Sequence, residues 1–420
     1  MKTKAVRLYG EKDMRLEEFT LPEMKENEIM AEVITDSLCM STYKAATQGM
    51  NHKKVPNDIA EHPIIVGHEF CCKLIGVGEK WKHEFKVGQK CCLQPNIGID
   101  SKKAPGYSYR FIGGDATKII FFNEIMENNC LLPFHGDTYF EGSLVEPLSC
   151  VIGAFHANYH LKKVFSYEHV MGIKEGGNVA ILGATGPMGF LAIDYALHGP
   201  IKPKLVVVTG RTQHKLDLAE RLYTKKEAEK EGIQLIYVNT KDLEDVSQYM
   251  KAITDEKKGF DDVFIFAPSQ QLIKEGAEML AYDGCLNFFS GPSDTEFTAE
   301  MNFYDVHYNA THVVGTSGGN TEDMKEALQL IESKKVNVAK IATHILGLDA
   351  VAETTLKLPK LAGGKKIVYT HKSFPLTEVA HMEDLGHNNF VKQLIEIVEQ
   401  HDGLWSGEAE TYFMEYAKEI

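Results

Sequence analysis

Three residues in the first part of the chain are of types that hold a metal ion. Cys39 follows the apolar run IMAEVITDSL, and His68 and Glu69 close a second one in PIIVGHEF. Thiolate, imidazole and carboxylate together suit zinc, and three protein ligands leave a position open for water or substrate. Glu146, in GSLVEPLSC, can reach the same point from a later segment, as a fourth ligand or as the partner of a bound water. A core thiol and a satisfied histidine account for the same residue types, so spacing alone leaves both readings open.

A second constellation is a glycine turn. Gly183, Gly186 and Gly189 stand between the apolar run NVAIL and the helical run FLAIDYAL, with Thr185, Pro187 and Met188 in the same turn. Glycine here allows a tight turn, close approach of a pyrophosphate and close packing of helix on strand. The helix N-terminus then offers free N–H groups to the phosphates. The next apolar strand ends at Gly210 and Arg211, where NAD-selective folds place an acidic residue for the ribose 2′-hydroxyl. Glycine leaves room for a 2′-phosphate and arginine can grip it, with Thr212, His214 and Lys215 as further donors. This favours NADP(H) over NAD(H); the alternative is that Arg211 caps a surface turn.

The elements that must position these residues fall into two textures. Over residues 1–150, KAVRLY, IMAEVIT, EFCCKLIGVG and KVGQKCCL alternate or are apolar throughout, which predicts a small β-rich, barrel-like domain. A helical stretch over 151–165 then leads to strand, glycine turn and helix. KLVVVTG, QLIYVN, DVFIFAPS and GCLNFFSGP follow as apolar strands, most of them separated by helical segments such as HKLDLAERLYTKKEAEKEG. That alternation predicts an α/β fold with a doubly wound parallel sheet covered on both faces. EDMKEALQLIESKK reads as an amphipathic helix and KKIVYT as a further strand. The expected division is a β-rich catalytic domain over 1–150, a dinucleotide-binding domain over 151–312, a return to the catalytic domain over 313–370 and a helical extension over 371–420. In the extension Phe390, Val391, Leu394, Ile395 and Val398 fall at helical spacing.

Composition narrows the partners. The 420 residues carry a net charge of −14, which disfavours nucleic acid and anionic membranes and obliges an anionic substrate to find a local basic pocket. No apolar run approaches the roughly 20 residues that cross a bilayer. The first residues lack an apolar signal core, so the cytoplasm is expected. Eight cysteines are too few for a disulfide scaffold. The doublets Cys71-Cys72 and Cys91-Cys92 point to opposite faces of their strands and read as reduced core thiols.

Taken in order, C-x-S (Cys39, Ser41), GHE (67–69), VEP (145–147), GATGPMG (183–189) and the later VVGTSGGNTEDMKEALQLI resemble the zinc-containing medium-chain alcohol dehydrogenases over roughly residues 1–370. The phrase EPLS is similar to the polyol and sugar-phosphate branch, which includes sorbitol dehydrogenases and L-sorbose-1-phosphate reductases. The resemblance implies a GroES-like catalytic domain and a Rossmann cofactor domain. It implies one catalytic zinc at Cys39, His68 and Glu69, with Glu146 as alternate ligand or water partner, Ser41 first in a proton relay and the pyrophosphate at Gly183, Gly186 and Gly189. The implied reaction is NADP(H)-linked interconversion of a secondary alcohol and a ketone of a polyol, sugar or sugar phosphate, in a homo-oligomer.

Two positions depart from that family. Many relatives bind a second, structural zinc through four closely spaced cysteines, but no cysteine lies between Cys92 and Cys130, so that zinc is not expected. Many relatives carry a histidine five residues after the zinc cysteine, as the outer end of the relay. Here the residue is Lys44, which carries the last proton step, leaves it to water, or faces an anionic group. Arg110 is a further phosphate candidate by type alone. The alternatives are a zinc-free quinone or enone reductase, which does not need the metal set, and a non-catalytic NADPH-binding sensor, against which the retained ligands and relay serine argue.

Overall fold

The run IMAEVITDS becomes the strand Ile29–Ser37, buried along almost its whole length. Burial on both faces requires neighbours on both edges, and the chain supplies them from distant segments. Phe70–Val77 pairs with it antiparallel on one side and Lys365–Tyr369 antiparallel on the other. The computed structural model describes residues 1–98, 100, 102–386 and 388–420. This strand belongs to a unit made of Met1–Pro147, Ala327–Ser333 and Val338–Ile420. Its larger sheet runs in the order Thr377–Glu378, Ala342–Gly347, Lys365–Tyr369, Ile29–Ser37, Phe70–Val77, Lys90–Leu93 and Leu131–Pro133, with Lys118–Phe121 also paired to Ile29–Ser37. Cys71 and Cys72 stand opposite Cys92 and Cys91 across one strand pair, all four as free buried thiols.

The second unit comprises Leu148–Glu326 and Lys334–Asn337. Its sheet has the spatial order Gln234–Asn239, Leu205–Gly210, Asn178–Leu182, Phe260–Ile265, Leu280–Phe288 and His312–Gly315, every pair parallel. The strand Asn178–Leu182 is buried throughout. It lies where the strand order reverses, and in such sheets ligands bind at the carboxyl end of that strand. This is the doubly wound α/β sheet predicted from the alternation.

Two helical segments differ in detail from the sequence reading. The helix expected over 151–165 runs Val145–Ala157 and gives way to the strand Tyr159–Leu161. Pro147 sits in its first turn, where a missing N–H costs nothing. HKLDLAERLYTKKEAEKEG is two helices, Gln213–Leu222 and Lys225–Lys230. Thr224 breaks it by capping the second: its hydroxyl accepts from Glu227 N at 3.1 Å, at the T-x-x-E spacing of a capping box.

The last residues fold onto the first unit as two helices, Asn389–Gln400 and Gly407–Tyr416. Val391, Leu394, Ile397 and Val398 form the buried stripe of the former. Trp405, 1% exposed, donates its indole N–H to Tyr369 Oη at 2.7 Å. Among the described residues no helix is long and apolar enough to cross a membrane.

Candidate active site

Strand register assembles the site. Asp36 stands opposite Phe70, and Ser37 N donates to Glu69 O at 3.0 Å. Continuing that antiparallel register past the strand ends carries Cys39 toward Gly67 and His68. On the other edge Ser37 stands opposite Ile367, and Leu38 N donates to Lys366 O at 3.0 Å, so Lys365 arrives at the same level. At Gly67 the backbone has φ +87°, and a Cβ would stand 2.1 Å from Asp36 Oδ2; only glycine allows the GHE turn to pass there.

One ligand atom each from Cys39, His68 and Glu69 lie within 4.8 Å of one another. Cys39 is the N-cap of the helix Met40–Gln48, and its sulfur accepts from Ser41 N at 3.5 Å. His68 and Glu69 are 4% and 2% exposed. Thr42 Oγ1 lies 3.4 Å from His68 Nδ1, and Tyr107 Oη lies 3.1 Å from Nε2. Glu69 accepts from Ser37 Oγ, and both its oxygens accept from Lys365 Nζ, at 2.6 and 2.5 Å.

The electrostatics test whether a metal ion fits this donor set. Burial lowers His68 to about 4, so the imidazole is neutral and its lone pair available. Burial and the charge of Glu69 push the Cys39 thiol up to about 12, against the pull of Lys365. Burial alone would raise Glu69, but Lys365 and His68 bring it below the usual carboxylate range. With Cys39 as thiolate, three acidic groups (Cys39, Glu69 and Glu146) face one ammonium, Lys365. One divalent cation balances the excess, and its charge is what would ionise the thiol. The residues fit a zinc ion.

Glu146 is 8% exposed and acts electrostatically on Cys39, Tyr107 and Lys365. It therefore belongs to the same neighbourhood, although it is outside the three-residue cluster. Ser41 is exposed and hydrogen-bonds to Tyr107. Lys44 is half-buried one turn further along the same helix. Arg110 is exposed, with its guanidinium 5.4 Å from the Phe111 ring centroid, and it does not join the cluster.

Three participants escaped the sequence reading. Tyr107 sits in an irregular loop whose only cue is the tyrosine-rich run GYSY. Lys365 is a buried lysine opening an apolar strand, an anomaly that invites a search for its anion. Asp36 is a carboxyl inside an equally apolar strand; its Oδ1 accepts from Glu69 N at 3.0 Å. Asp36 and Asp115 are both fully buried. Burial and the charges of Asp115 and Glu69 raise Asp36, and burial pushes Asp115 up to about 8.

In the second unit the strand Asn178–Leu182 turns at Gly183, φ +67°, into the helix Pro187–His198. Gly186 is the N-cap and makes no side-chain cap bond. A Cβ at Gly186 would meet nothing within 4 Å, so open space lies over the free N–H groups of the first turn. A Cβ at Gly189 would stand 2.3 Å from Ala184 O, which is the close packing expected of the third glycine. Thr185 and Met188 belong to the same turn. At Gly210 a Cβ would stand 2.6 Å from Thr185 Cγ2: Thr185, not a phosphate, takes up the room left there by glycine. Arg211 follows, exposed, and Thr212 is the N-cap of Gln213–Leu222, with His214 and Lys215 exposed on its first turn.

A doubly wound sheet with a glycine turn, together with a β-rich unit holding a thiol, imidazole and carboxylate set, is the architecture of a two-domain metal dehydrogenase. Residues 187–333 match the zinc-binding dehydrogenase family. Over 419 residues the chain is 53% identical to L-sorbose 1-phosphate reductase of Klebsiella pneumoniae, covering 100% of this chain and 98% of the relative. It is 44% identical to mannitol-1-phosphate 5-dehydrogenase of Aliivibrio fischeri, covering 99% and 98%. The fold is similar to 2R,3R-butanediol dehydrogenase from Bacillus subtilis, with TM-score 0.70 at 20% identity over 88% of this chain and 99% of that one. A zinc-binding dehydrogenase from Sinorhizobium meliloti solved with NADP gives TM-score 0.70 at 19% identity over 88% and 100%. The chain belongs to the zinc-containing medium-chain alcohol dehydrogenases, in their polyol and sugar-phosphate branch, and is an oxidoreductase.

Proposed function

We propose that this enzyme interconverts a secondary alcohol and a ketone on a sugar phosphate, with NADP(H) as hydride partner and one zinc per chain, in the cytoplasm. The observation that carries the reading is the buried set Cys39, His68 and Glu69 in a chain 53% identical to an L-sorbose 1-phosphate reductase. Cys39, His68 and Glu69 hold the zinc, with Glu146 as alternate ligand or as partner of a water. When bound, the zinc supplies Lewis acidity to the substrate oxygen and the nicotinamide takes or gives the hydride.

The chain's own residues do the rest. Thr42 orients the ring of His68 at Nδ1, and Nε2, beside the Tyr107 hydroxyl, is the nitrogen that would serve the zinc. Lys365 and Ser37 hold the carboxylate of Glu69. Ser41 Oγ takes the proton from the substrate hydroxyl in oxidation and returns it in reduction. Its exposure gives that proton a way to water, with Lys44 one turn further on. Gly183, Gly186 and Gly189 seat the pyrophosphate on the helix Pro187–His198, and Arg211 grips the 2′-phosphate. A zinc-free enone reductase is disfavoured because it has no use for the buried set Cys39, His68 and Glu69.

A turnover screen tests the reading. Ketose phosphates, hexitol phosphates and their unphosphorylated forms are offered to zinc-loaded enzyme with NADPH, NADP+, NADH and NAD+. Oxidation or reduction of at least one phosphorylated substrate, fastest with the phosphorylated cofactor, is expected. Absence of turnover on all of them, or turnover of enones alone, sinks the reading.

A further inference from the structure

The chain is acidic overall, with a net charge of −14, yet basic residues gather beside the metal set. Lys44 lies on the helix that Cys39 opens, and His52, Lys53 and Lys54 follow the short turn Gly49–Asn51 that ends it. Lys44, His52 and Lys54 are half-buried and Lys53 is exposed.

Tyr107 joins this group to the metal set. Its hydroxyl end lies 3.1 Å from His68 Nε2. Lys54 Nζ lies 5.3 Å from its ring centroid, and the His52 ring stacks on it at 5.8 Å with 13° between planes. One buried aromatic ring thus has the candidate metal ligand at its polar end and two basic side chains beside its ring. Burial, then the charges of Lys53, Lys54 and Lys44, lower His52 to about 4. The charge of Lys54 reaches His68 as well.

His52 is neutral at pH 7 and its tautomer is set. Its Nδ1 lies 3.3 Å from Lys54 N and accepts from it, so Nε2 carries the proton and is a donor. Three ammonium groups and one neutral imidazole donor are what a phosphate monoester, with a charge of about −1.5 to −2 and three acceptor oxygens, requires. An acidic protein repels such a substrate unless cations of this kind collect beside the reacting carbon.

We infer that Lys44, His52, Lys53 and Lys54 form the subsite that binds the phosphoryl group of the substrate, with the Tyr107 ring as the wall between it and the metal ligands. This rests on the sugar-phosphate reading above and assigns its specificity to named residues. Lysines serve here as point charges, so the subsite tolerates a phosphate at more than one distance from the reacting carbon. The same chemistry could serve a cofactor phosphate, and the test separates the two.

The experiment compares zinc-loaded wild type with the K53M/K54M double variant and with the milder K54R. L-sorbose 1-phosphate and L-sorbose are the substrates, and KM is measured for NADPH as well. The double variant should lose about 100-fold in kcat/KM for the phosphorylated ketose, through KM, while L-sorbose and NADPH stay within about twofold. Lys54→Arg, which keeps the charge, should stay close to wild type on the phosphorylated ketose. Equal losses on both ketoses, or a change confined to the KM for NADPH, overturns the subsite. A wild type that reduces neither ketose counts against the underlying reading. A wild type that prefers the phosphorylated ketose, with a double variant that keeps the same preference, overturns this inference alone.

Discussion

Lys365 donates to both carboxylate oxygens of Glu69, at 2.6 and 2.5 Å, although 296 positions separate them in sequence. The two residues are 5% and 2% exposed. A buried pair with both partners present contributes little net stability, but removing one partner strands a charge at a cost of about 3–5 kcal/mol. Lys365→Met should therefore destabilise the metal-free protein by about 3 kcal/mol, read from urea unfolding. Zinc should restore much of that, since a divalent cation replaces the lost ammonium. A metal-free variant that unfolds at the wild-type urea concentration would show that Glu69 does not depend on this bridge.

Asp36 and Asp115 make stability depend on pH in a definite direction. The folded value of Asp115 is pushed up to about 8 and Asp36 is raised as well, against an ordinary value of 3.8. The unfolded chain releases these protons first, so the pair's contribution is fully present below about pH 4. It is lost as pH rises toward about 8. Asp115→Asn keeps the shape and removes one titration. The slope of stability against pH between about 5.5 and 7.5 should flatten, by at most about 1.4 kcal/mol per pH unit. Unfolding midpoints that keep the wild-type slope in the variant would show that the buried Asp115 carboxyl does not set this pH dependence.

The metal set itself is tested by removing its sulfur. Cys39 caps its helix only through a 3.5 Å contact to Ser41 N, so Cys39→Ala should cost less than about 1 kcal/mol of fold stability. Zinc content should fall from about one per chain to near zero, with turnover lost and NADPH binding retained. A variant that keeps its zinc would move the site elsewhere.

What could be read from the sequence follows from how each residue reaches the site. Cys39, His68 and Glu69 lie at the ends of apolar runs visible in the sequence. The order of the C-x-S, GHE and VEP phrases, through the family they resemble, singles them out where residue types alone leave a core thiol and a satisfied histidine open. The turn Gly183–Gly189 is likewise announced by the strand before it and the helix after it. Lys365 was illegible because it depends on a strand that returns to pair with Ile29–Ser37 from the far end of the chain, and no local pattern encodes that register. Tyr107 was missed because its loop has no periodicity. At Gly210 the residue was noticed for a reason the structure changes, since packing on Thr185 is a tertiary contact. Lys54 has no cue in the sequence, because only the Tyr107 ring, 5.3 Å from its Nζ, connects it to His68.

Cofactor choice rests on Arg211, exposed at the end of the strand Leu205–Gly210. If its guanidinium binds the 2′-phosphate by charge-assisted bonds, Arg211→Ala should weaken NADPH by roughly 10- to 100-fold and leave NADH nearly unchanged. Fluorescence titration of both cofactors measures this directly. Equal weakening would return Arg211 to the role of a surface cap.

Glu410, on the last helix, reaches the chain just ahead of Glu146. Its two oxygens accept from Tyr139 N at 2.7 Å and Phe140 N at 2.8 Å, and Tyr369 Oη donates to it at 3.1 Å. It is 5% exposed, and burial raises it to about 7. The segment it holds runs into the turn Gly142–Leu144 and the helix Val145–Ala157, whose second residue is Glu146. Glu410→Gln keeps the volume but turns an amide N–H against a backbone N–H, leaving buried donors unpaired at about 1–3 kcal/mol. If the C-terminal extension braces the site, that loss carries through to Glu146. Zinc retention against a chelator should then drop in Glu410→Gln, and the double variant with Glu146→Gln should fall short of the sum of the two single losses. Full additivity, with zinc retained, would leave Glu410 a purely structural tie between the tail and the residues around Tyr139.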